Sequence, residues 1–191
     1  MTLRENRPAV AEQCPIHYIP ASHLSKGQAP VSDSTRVKAD IVKFTSEYAR
    51  TVRGWIDSEE TAASLGLTDE FPPPEDIVET WQSDDMTGWL LLSGNGPVAY
   101  AELWPKPAEL AMEIRRLLVD PRRREQGFGC KMLTLLHEAA GRRPEVAKVA
   151  MQVAWDNRNA LGCYLKAGFT VAGTTHDKPG LYLVRMIERN Q

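Results

Sequence analysis

The residues from 117 to 129 include the types best suited to binding an anionic ligand. An apolar run, Leu117 to Val119, leads into Asp-Pro, three arginines and the letters Glu-Gln-Gly-Phe-Gly, which end at Gly129. A helix start offers unpaired N–H groups and partial positive charge, and phosphate oxygens accept such groups directly. Gly127 and Gly129 lack a Cβ atom, which lets the backbone approach a ligand closely. The pattern indicates a phosphate-binding turn between a strand and a helix.

Other phosphate-binding motifs do not fit this turn. A P-loop ends in Gly-Lys-Ser/Thr, whereas Cys130 and Lys131 follow Gly129 here. A dinucleotide-binding fingerprint requires a third glycine at the position of Met132. From the turn alone, an ordinary strand-loop-helix connection with solvated arginines stays open as the alternative.

Two motifs resemble those of the GCN5-related N-acetyltransferases. The first, Arg124-Glu125-Gln126-Gly127-Phe128-Gly129, is similar to that family's Gln/Arg-x-x-Gly-x-Gly/Ala signature, and the Leu-Leu-Val-Asp-Pro lead-in resembles its preceding strand. The second, residues 157–169, is similar to the family's pattern of Asn, Ala three residues on, then Tyr-x-Lys-x-Gly-Phe. The resemblance covers about residues 36–187. One departure is Gly162, which stands inside the second motif where a bulkier residue is usual.

The resemblance implies an enzyme that transfers an acetyl group from acetyl-CoA directly to a primary amine. It places the CoA pyrophosphate on the N–H groups of Gln126 to Gly129, the pantetheine arm beside the strand that ends at Val119, and Asn157 next to that arm. The implied cofactor-binding residues are Leu117, Leu118, Val119, Arg124, Glu125, Gln126, Gly127, Phe128, Gly129 and Asn157. No metal is implied, and the histidines show no metal-binding spacing.

Direct acyl transfer requires a base, an oxyanion donor and a proton donor for the thiolate. An ammonium group like that of lysine has a pKa of about 10.4, so the acceptor must first lose a proton. Tyr164 matches the family's tyrosine and is the expected proton donor; aromatic packing on the sheet is its alternative role. Glu113 is the favoured base, acting through water, with Glu102 as second candidate. A backbone N–H near Val119 is the expected oxyanion donor.

Two of these assignments have competing readings. Glu113 could instead be a surface glutamate paired with Arg115 or Arg116. Cys130 and Cys163 have no histidine nearby in sequence to activate a covalent mechanism, so packing of small side chains is the better interpretation.

The acceptor is suggested by the charge distribution. No Lys or Arg occurs between Arg53 and Lys106, a stretch that contains many carboxylates. An acidic mouth concentrates cationic substrates, which predicts a polyamine, an aminoglycoside-like amine or a basic peptide end. A solvated acidic face is the alternative. A non-catalytic domain that binds or senses acyl-CoA is the second class of function, although Glu113, Asn157 and Tyr164 together favour the enzyme.

Hydrophobic periodicity and turn residues predict the strands and helices that position these side chains. Antiparallel strands come first and a β-α-β unit follows, which predicts an α/β domain with a mixed, mostly antiparallel sheet of about six to seven strands flanked by helices. Gly168 is expected to cap the last helix. The predicted strands are 36–41, 88–92, 98–104, 111–119, 146–154, 169–173 and 181–187, and the predicted helices are 42–56, 75–81, 128–140 and 158–166.

Length and composition limit the remaining possibilities. The 191 residues fit one acetyltransferase domain, 35–191, preceded by an arm, 1–34, that is partly disordered or adds a strand. The net charge of −2 argues against nucleic-acid binding. No signal peptide or membrane-spanning run is recognisable, and the three cysteines form no C-x-x-C pair, which favours a reducing cytoplasm. The resemblance makes a homodimer an assembly to test.

Overall fold

The computed structural model describes residues 39–67, 71–94, 96–175 and 179–189. The described strands are β1 (Ala39–Lys43), β2 (Thr87–Ser93), β3 (Gly96–Lys106), β4 (Ala111–Val119), β5 (Lys148–Ala154), β6 (Thr170–Thr174) and β7 (Gly180–Met186). The described helices are α1 (Ala49–Arg53), α2 (Glu59–Ser64), α3 (Ile77–Thr80), α4 (Phe128–Gly141) and α5 (Arg158–Lys166).

All seven described strands join one sheet in the order β1-β2-β3-β4-β5-β7-β6. The pairs are antiparallel except for β4 and β5, which are parallel and are connected through α4. A parallel pair requires such a crossover, whereas antiparallel strands can be joined by a tight turn. The prediction of a mixed, mostly antiparallel sheet flanked by helices is confirmed.

The sheet separates two apolar cores, because successive side chains of a strand point to opposite faces. Ala99 and Ala101 of β3 pack with Met132 and Leu136 of α4 in the first core. Tyr100, which lies between those two alanines, packs with Trp81 and the short helices α1 and α3 in the second core. The α1–α3 face and the α4–α5 face of the sheet are therefore distinct surfaces.

The prediction of one helix over residues 42–56 is wrong. Val42 and Lys43 extend β1 instead and pair with β2, and only Ala49–Arg53 forms an α-helix after a single 3₁₀ turn. Three of the apolar residues that suggested the helix, Val52, Trp55 and Ile56, are nevertheless buried in the second core, and Phe44 and Tyr48 pack against it partly buried. Sequence reasoning also missed α2, although Ser58 caps its start by accepting a hydrogen bond from the Thr61 N–H.

The second half of the chain agrees closely with the predicted elements. β4 and α5 have the predicted bounds, and α4 is one residue longer. Gly168 has a φ of 85°, the left-handed conformation expected of a residue that ends a helix. The arm 1–34 and its boundary with the domain lie outside the described residues. Within the described ranges, no helix is long and apolar enough to span a membrane.

Candidate active site

The central feature of the site is an opening between β4 and β5. The two strands pair from Ala111 with Lys148 as far as Ile114 with Met151, and no further register follows. β5 continues to pair with β7 up to Ala154 on its other side. Backbone groups of residues 115–119 that face β5 are thus left without a strand partner. Such an edge can pair with an extended ligand as with an added strand.

A bulge in β4 accounts for the opening. Tyr100 of β3 pairs with Leu118, but Glu102 pairs with Arg115, so Ala101 lies opposite two residues of β4. Arg116 is one of those two and has a φ of 47°, in the left-handed region that non-glycine residues rarely occupy. A bulged strand bends and twists more strongly, and here it turns away from β5.

The glycine turn follows β4 at the same end of the sheet. Gly127 stands at the start of α4 with a φ of 84°, and Glu125 has a φ of 62°. The first helical hydrogen bond runs from the Lys131 N–H to the Gly127 carbonyl at 3.0 Å. Within the described residues, no acceptor receives the N–H groups of residues 126–129. The start of the 14-residue helix α4 therefore presents a set of free donors, as the sequence predicted.

The two glycines of the turn are needed for different reasons. A Cβ atom on Gly127 would contact nothing within 4 Å, so its requirement is the positive φ. A Cβ atom on Gly129 would lie 3.4 Å from Sγ of Cys163 and 3.7 Å from Cγ2 of Val119. The bare Cα of Gly129 thus faces protein, where α4 packs closely against α5 and β4.

Two of the three loop arginines make local contacts. Arg122 forms a two-point ion pair with Asp120, whose pKa is lowered mainly by that hydrogen bond. Arg123 lies over the Phe128 ring, with its guanidinium carbon 4.9 Å from the ring centre, and donates to Oε1 of Gln126.

Arg124 reaches away from the turn instead. Its Nη1 and Nη2 donate to the two carboxylate oxygens of Asp57 at 2.9 and 2.8 Å. Arg124 therefore lies in the loop that the sequence assigned to the cofactor, while its guanidinium contacts the segment between α1 and α2.

Tyr164 and Asn157 are positioned by α5. Asn157 caps that helix, since its Oδ1 accepts from the Ala160 N–H at 3.1 Å, and it follows the end of β5 closely. Tyr164 is buried in the first core, and burial raises the pKa of its phenol. Its hydroxyl forms no hydrogen bond with the other described residues. Gly162 does not interrupt α5, and a Cβ atom there would meet nothing within 4 Å.

The two helix cysteines contact each other beside the turn. Sγ of Cys130, in the first turn of α4, is 2.7 Å from Sγ of Cys163 in α5. The hydrogen bond from Cys163 lowers the pKa of the Cys130 thiol to about 7. The interpretation of both as packed small residues missed this contact, because it joins positions 33 residues apart.

The two candidate bases differ in how their oxygens are used. Glu102 is fully buried, and its carboxylate accepts from the Tyr100 hydroxyl, the Trp104 indole and Arg116 at 2.7 to 3.1 Å. Both of its oxygens are therefore occupied by donors. Sequence reasoning missed this network, although the alternation Tyr100-x-Glu102-x-Trp104 places all three on one face of β3.

Glu113 has one oxygen that is less engaged. Its Oε2 accepts from Arg115 at 2.6 Å and lies 3.5 Å from Nζ of Lys106. Its Oε1 has one partner among the described residues, Nε2 of Gln152 at 3.3 Å, which leaves room for another donor. Because Glu113 pairs with Trp104 across the strands, it lies on the α1–α3 face. The ion pair between Glu113 and Arg115, which the sequence suggested as an alternative role for Glu113, is present.

The acidic stretch surrounds this same face of the sheet. Asp57 pairs with Arg124 and Glu102 with Arg116, whereas Asp69 and Glu70 lie outside the described residues. The other carboxylates are exposed and form no ion pair with any described residue: Glu59, Glu60, Glu75, Asp76, Glu79, Asp84 and Asp85. No group of three or more potential metal ligands occurs among the described His, Cys, Asp and Glu residues.

A sheet that opens beside a turn of free N–H groups defines a class of protein that binds an extended, phosphate-bearing ligand between two strands. The chain matches the model of the acetyltransferase (GNAT) family over residues 52–169. That is more than half of its length, so the chain belongs to this family. It is an acetyl-CoA-dependent N-acetyltransferase, and the alternative of a non-catalytic acyl-CoA sensor is not favoured.

Individual proteins resemble the chain over most of its length. An aminoglycoside N(6')-acetyltransferase type 1 from Klebsiella pneumoniae is 26% identical over 144 residues, which are 69% of this chain and 70% of that protein. The solved structure of AAC(6')-Ib with ribostamycin and coenzyme A has a TM-score of 0.67 at 23% identity, covering 78% of this chain and 93% of that one.

A spermidine N-acetyltransferase from Vibrio cholerae, solved with CoA and spermine, has a TM-score of 0.64 at 12% identity. That comparison covers 78% of this chain and 95% of the other. The solved structures establish the shared fold.

Proposed function

We propose that this enzyme acetylates a primary amine of a polycationic acceptor of the aminoglycoside type. The observation that carries the proposal is the set of exposed, unpaired carboxylates around the α1–α3 face, where Glu113 also lies. Aminoglycosides carry several ammonium groups, which an acidic surface attracts and orients. The similarity to an aminoglycoside N(6')-acetyltransferase over about two thirds of both chains supports the same acceptor class.

The cofactor contacts we propose use backbone groups. The free N–H groups of residues 126–129 would hold the pyrophosphate, with Arg124 and Glu125 shaping the loop before them. The open edge of Leu117, Leu118 and Val119 would pair with the pantetheine arm, and Asn157 would flank that arm from the start of α5. The bound thioester supplies the activated acetyl group. Phe128 is buried under the loop and supports it.

Glu113 acts as the base in this proposal, through a water molecule on its Oε1. That oxygen has only a long contact with Gln152, whereas Oε2 is held by Arg115. Glu102 is a poorer candidate because three donors surround its buried carboxylate. Removing the ammonium proton exposes the nitrogen lone pair that attacks the thioester carbonyl.

Tyr164 is the proposed proton donor to the departing CoA thiolate. Burial raises the pKa of its phenol, so the hydroxyl stays protonated and can donate a hydrogen bond to the thiolate as negative charge develops on sulfur. A backbone N–H in the region of Val119 would donate a hydrogen bond to the oxyanion of the tetrahedral intermediate. That hydrogen bond becomes stronger as negative charge develops on the oxygen.

The test is thiol release from acetyl-CoA with a panel of amines, followed by mass spectrometry of the products. The panel contains ribostamycin, kanamycin, spermidine, a basic peptide and a neutral primary amine. We expect the aminoglycosides to give the highest kcat/KM, and an analogue with a hydroxyl group in place of the 6'-amine identifies the acetylated position. Turnover restricted to neutral or acidic acceptors contradicts the proposal.

Two further expectations remain predictions. A cytoplasmic location is supported by the small number of cysteines, which form no C-x-x-C pair. A homodimer would appear as twice the chain mass of 21.3 kDa in light scattering.

A further inference from the structure

The side chain of Arg124 connects the cofactor loop with the acceptor side of the molecule. Its guanidinium forms a two-point ion pair with Asp57, and Nη2 also donates to the Trp55 carbonyl at 3.3 Å. The two carboxylate bonds match the fork geometry in which arginine binds a carboxylate most strongly. All three acceptor atoms belong to the short segment between α1 and α2.

Asp57 is also hydrogen-bonded to a residue of α2. Its Oδ1 also accepts from the Thr61 hydroxyl at 3.0 Å, and Ser58, the next residue, caps the helix. Trp55 and Ile56, just before Asp57, are buried in the second core beneath the α1–α3 face. The loop that carries Arg124 is therefore joined by side-chain hydrogen bonds to the segment that fixes where α2 begins.

Arg124 is held by protein acceptors in the α1–α2 segment. Both terminal nitrogens of its guanidinium are used by Asp57 and Trp55, whereas the free donors of the turn are backbone N–H groups. Arg122, in the same loop, also pairs with a carboxylate, but its partner Asp120 belongs to that loop. Of the arginines in this loop, Arg124 alone has an ion-pair partner on the α1–α2 segment among the described residues.

We propose that the Arg124–Asp57 pair is a strut through which occupation of the cofactor loop strengthens binding of the acceptor on the α1–α3 face. Arg124 and Asp57 are positioning residues in this scheme. The inference rests on the proposed function, because it takes the α1–α3 face as the acceptor site. Coupling of this kind is reciprocal, so an acceptor also tightens CoA binding by the same factor.

The experiment measures kanamycin binding by isothermal titration calorimetry with and without saturating CoA, which forms an unreactive ternary complex. The ratio of the two dissociation constants is the coupling factor. We expect Asp57→Asn and Arg124→Gln each to reduce this factor about fivefold, the effect typical of losing a partly exposed ion pair. The double variant should lose no more than either single variant, because both remove the same contact.

Arg122→Gln is the matched control, since it removes the same charge from the same loop. We expect it to weaken CoA binding about as much as Arg124→Gln while leaving the coupling factor unchanged. Arg124→Lys keeps the charge but loses the two-point geometry, so it should reduce coupling with little change in CoA affinity. Melting temperatures identify any variant that has lost its fold.

Three outcomes are informative. Asp57→Asn frees the guanidinium, so tighter CoA binding with unchanged coupling would make Arg124 a phosphate ligand and overturn the strut. Equal coupling in the wild type and all variants also overturns it. If the wild-type enzyme neither binds nor acetylates kanamycin, the proposed acceptor fails instead. The strut is then tested by the same measurement with whichever amine the panel identifies.

Discussion

Nη1 of Arg116 donates a 2.7 Å hydrogen bond to the fully buried carboxylate of Glu102. Arg116 is also the residue where β4 bulges, and its guanidinium lies over the Trp81 ring, 5.0 Å from its centre. The bulge that opens the sheet is thus fixed by an ion pair on the α1–α3 face. The bulge of β4 and the packing of the α1–α3 face therefore share one residue, Arg116.

Removing Glu102 should therefore destabilise the fold. Glu102→Ala leaves the guanidinium of Arg116 partly buried without its partner, and we expect a loss of about 3 kcal/mol in the free energy of unfolding, measured with urea. Glu145→Ala, at an exposed position, should change it by no more than about 0.5 kcal/mol. A fully stable Glu102→Gln variant that has lost its turnover would instead make Glu102 the base.

Replacing Glu113 should affect the chemical step. We expect Glu113→Gln to reduce kcat/KM for the amine about 100-fold, the usual contribution of a general base, while the Kd for CoA stays unchanged. Glu109→Gln, a partly exposed glutamate that also pairs with a lysine, is the control. Equal losses in the two variants would contradict a specific role of Glu113.

Tyr164→Phe should lower kcat about 100-fold and leave CoA binding intact. Because burial raises the phenol pKa, the protonated form persists above pH 10, and wild-type activity should show no alkaline decline from this group near that pH. Tyr182→Phe is the control, a tyrosine of β7 whose hydroxyl donates to Glu109. A decline centred near pH 10 that Tyr164→Phe abolishes would mean that the phenol pKa is not raised.

The left-handed conformation of Gly127 yields a graded prediction. Alanine there costs about 1 to 2 kcal/mol of backbone strain, so we expect Gly127→Ala to weaken CoA binding about tenfold by calorimetry. Asparagine tolerates this region better and should bind CoA more tightly than the alanine variant, whereas a β-branched valine should bind it least. Equal CoA affinity in all three variants would show that the left-handed conformation at position 127 does not determine cofactor binding.

Cys130 should be the more reactive of the two helix cysteines. Because its pKa is lowered to about 7, the rate of its alkylation by iodoacetamide should be half-maximal near pH 7. Above pH 8 that rate should increase only slightly. Cys163→Ala removes the hydrogen-bond donor, so the midpoint should move to higher pH. Peptide mapping by mass spectrometry assigns the modified residue. Preferential labelling of Cys163 would reverse the assignment of donor and acceptor.

Turn chemistry explains which elements the sequence revealed. Asp120 and Pro121 end β4, Gly127 starts α4 and Gly168 ends α5, so local residues fixed these boundaries. The region 42–56 lacked such signals at its start, and pairing of Val42 and Lys43 with β2 overrode the helical spacing. Tertiary pairing of that kind is not encoded in a local window.

The sequence suggested the residues of the candidate site but not the contacts that position them. The loop and Tyr164 were proposed from motifs and Glu113 from its place on the strand before the loop, whereas the partner of each depends on strand register and on long-range packing. Arg124 meets Asp57 across 67 positions, and the register shift opposite Ala101 that brings Arg116 to Glu102 has no sequence signature of its own. The structure was also needed to show why Gly127 and Gly129 are required, one for its positive φ and the other for its close neighbours.

The early end of the β4–β5 pairing has a consequence for what the enzyme can accept as a donor. Beyond Ile114, the edge of β4 that faces β5 has no partner among the described strands, and this is where the bulge bends β4. In the proposed binding mode, a molecule with amide groups along a linear arm completes the sheet, and a short thioester has no amide groups to do so. In the proposed binding mode, backbone groups recognise the acyl carrier, so the side chains around Glu113 are left to contact the amine.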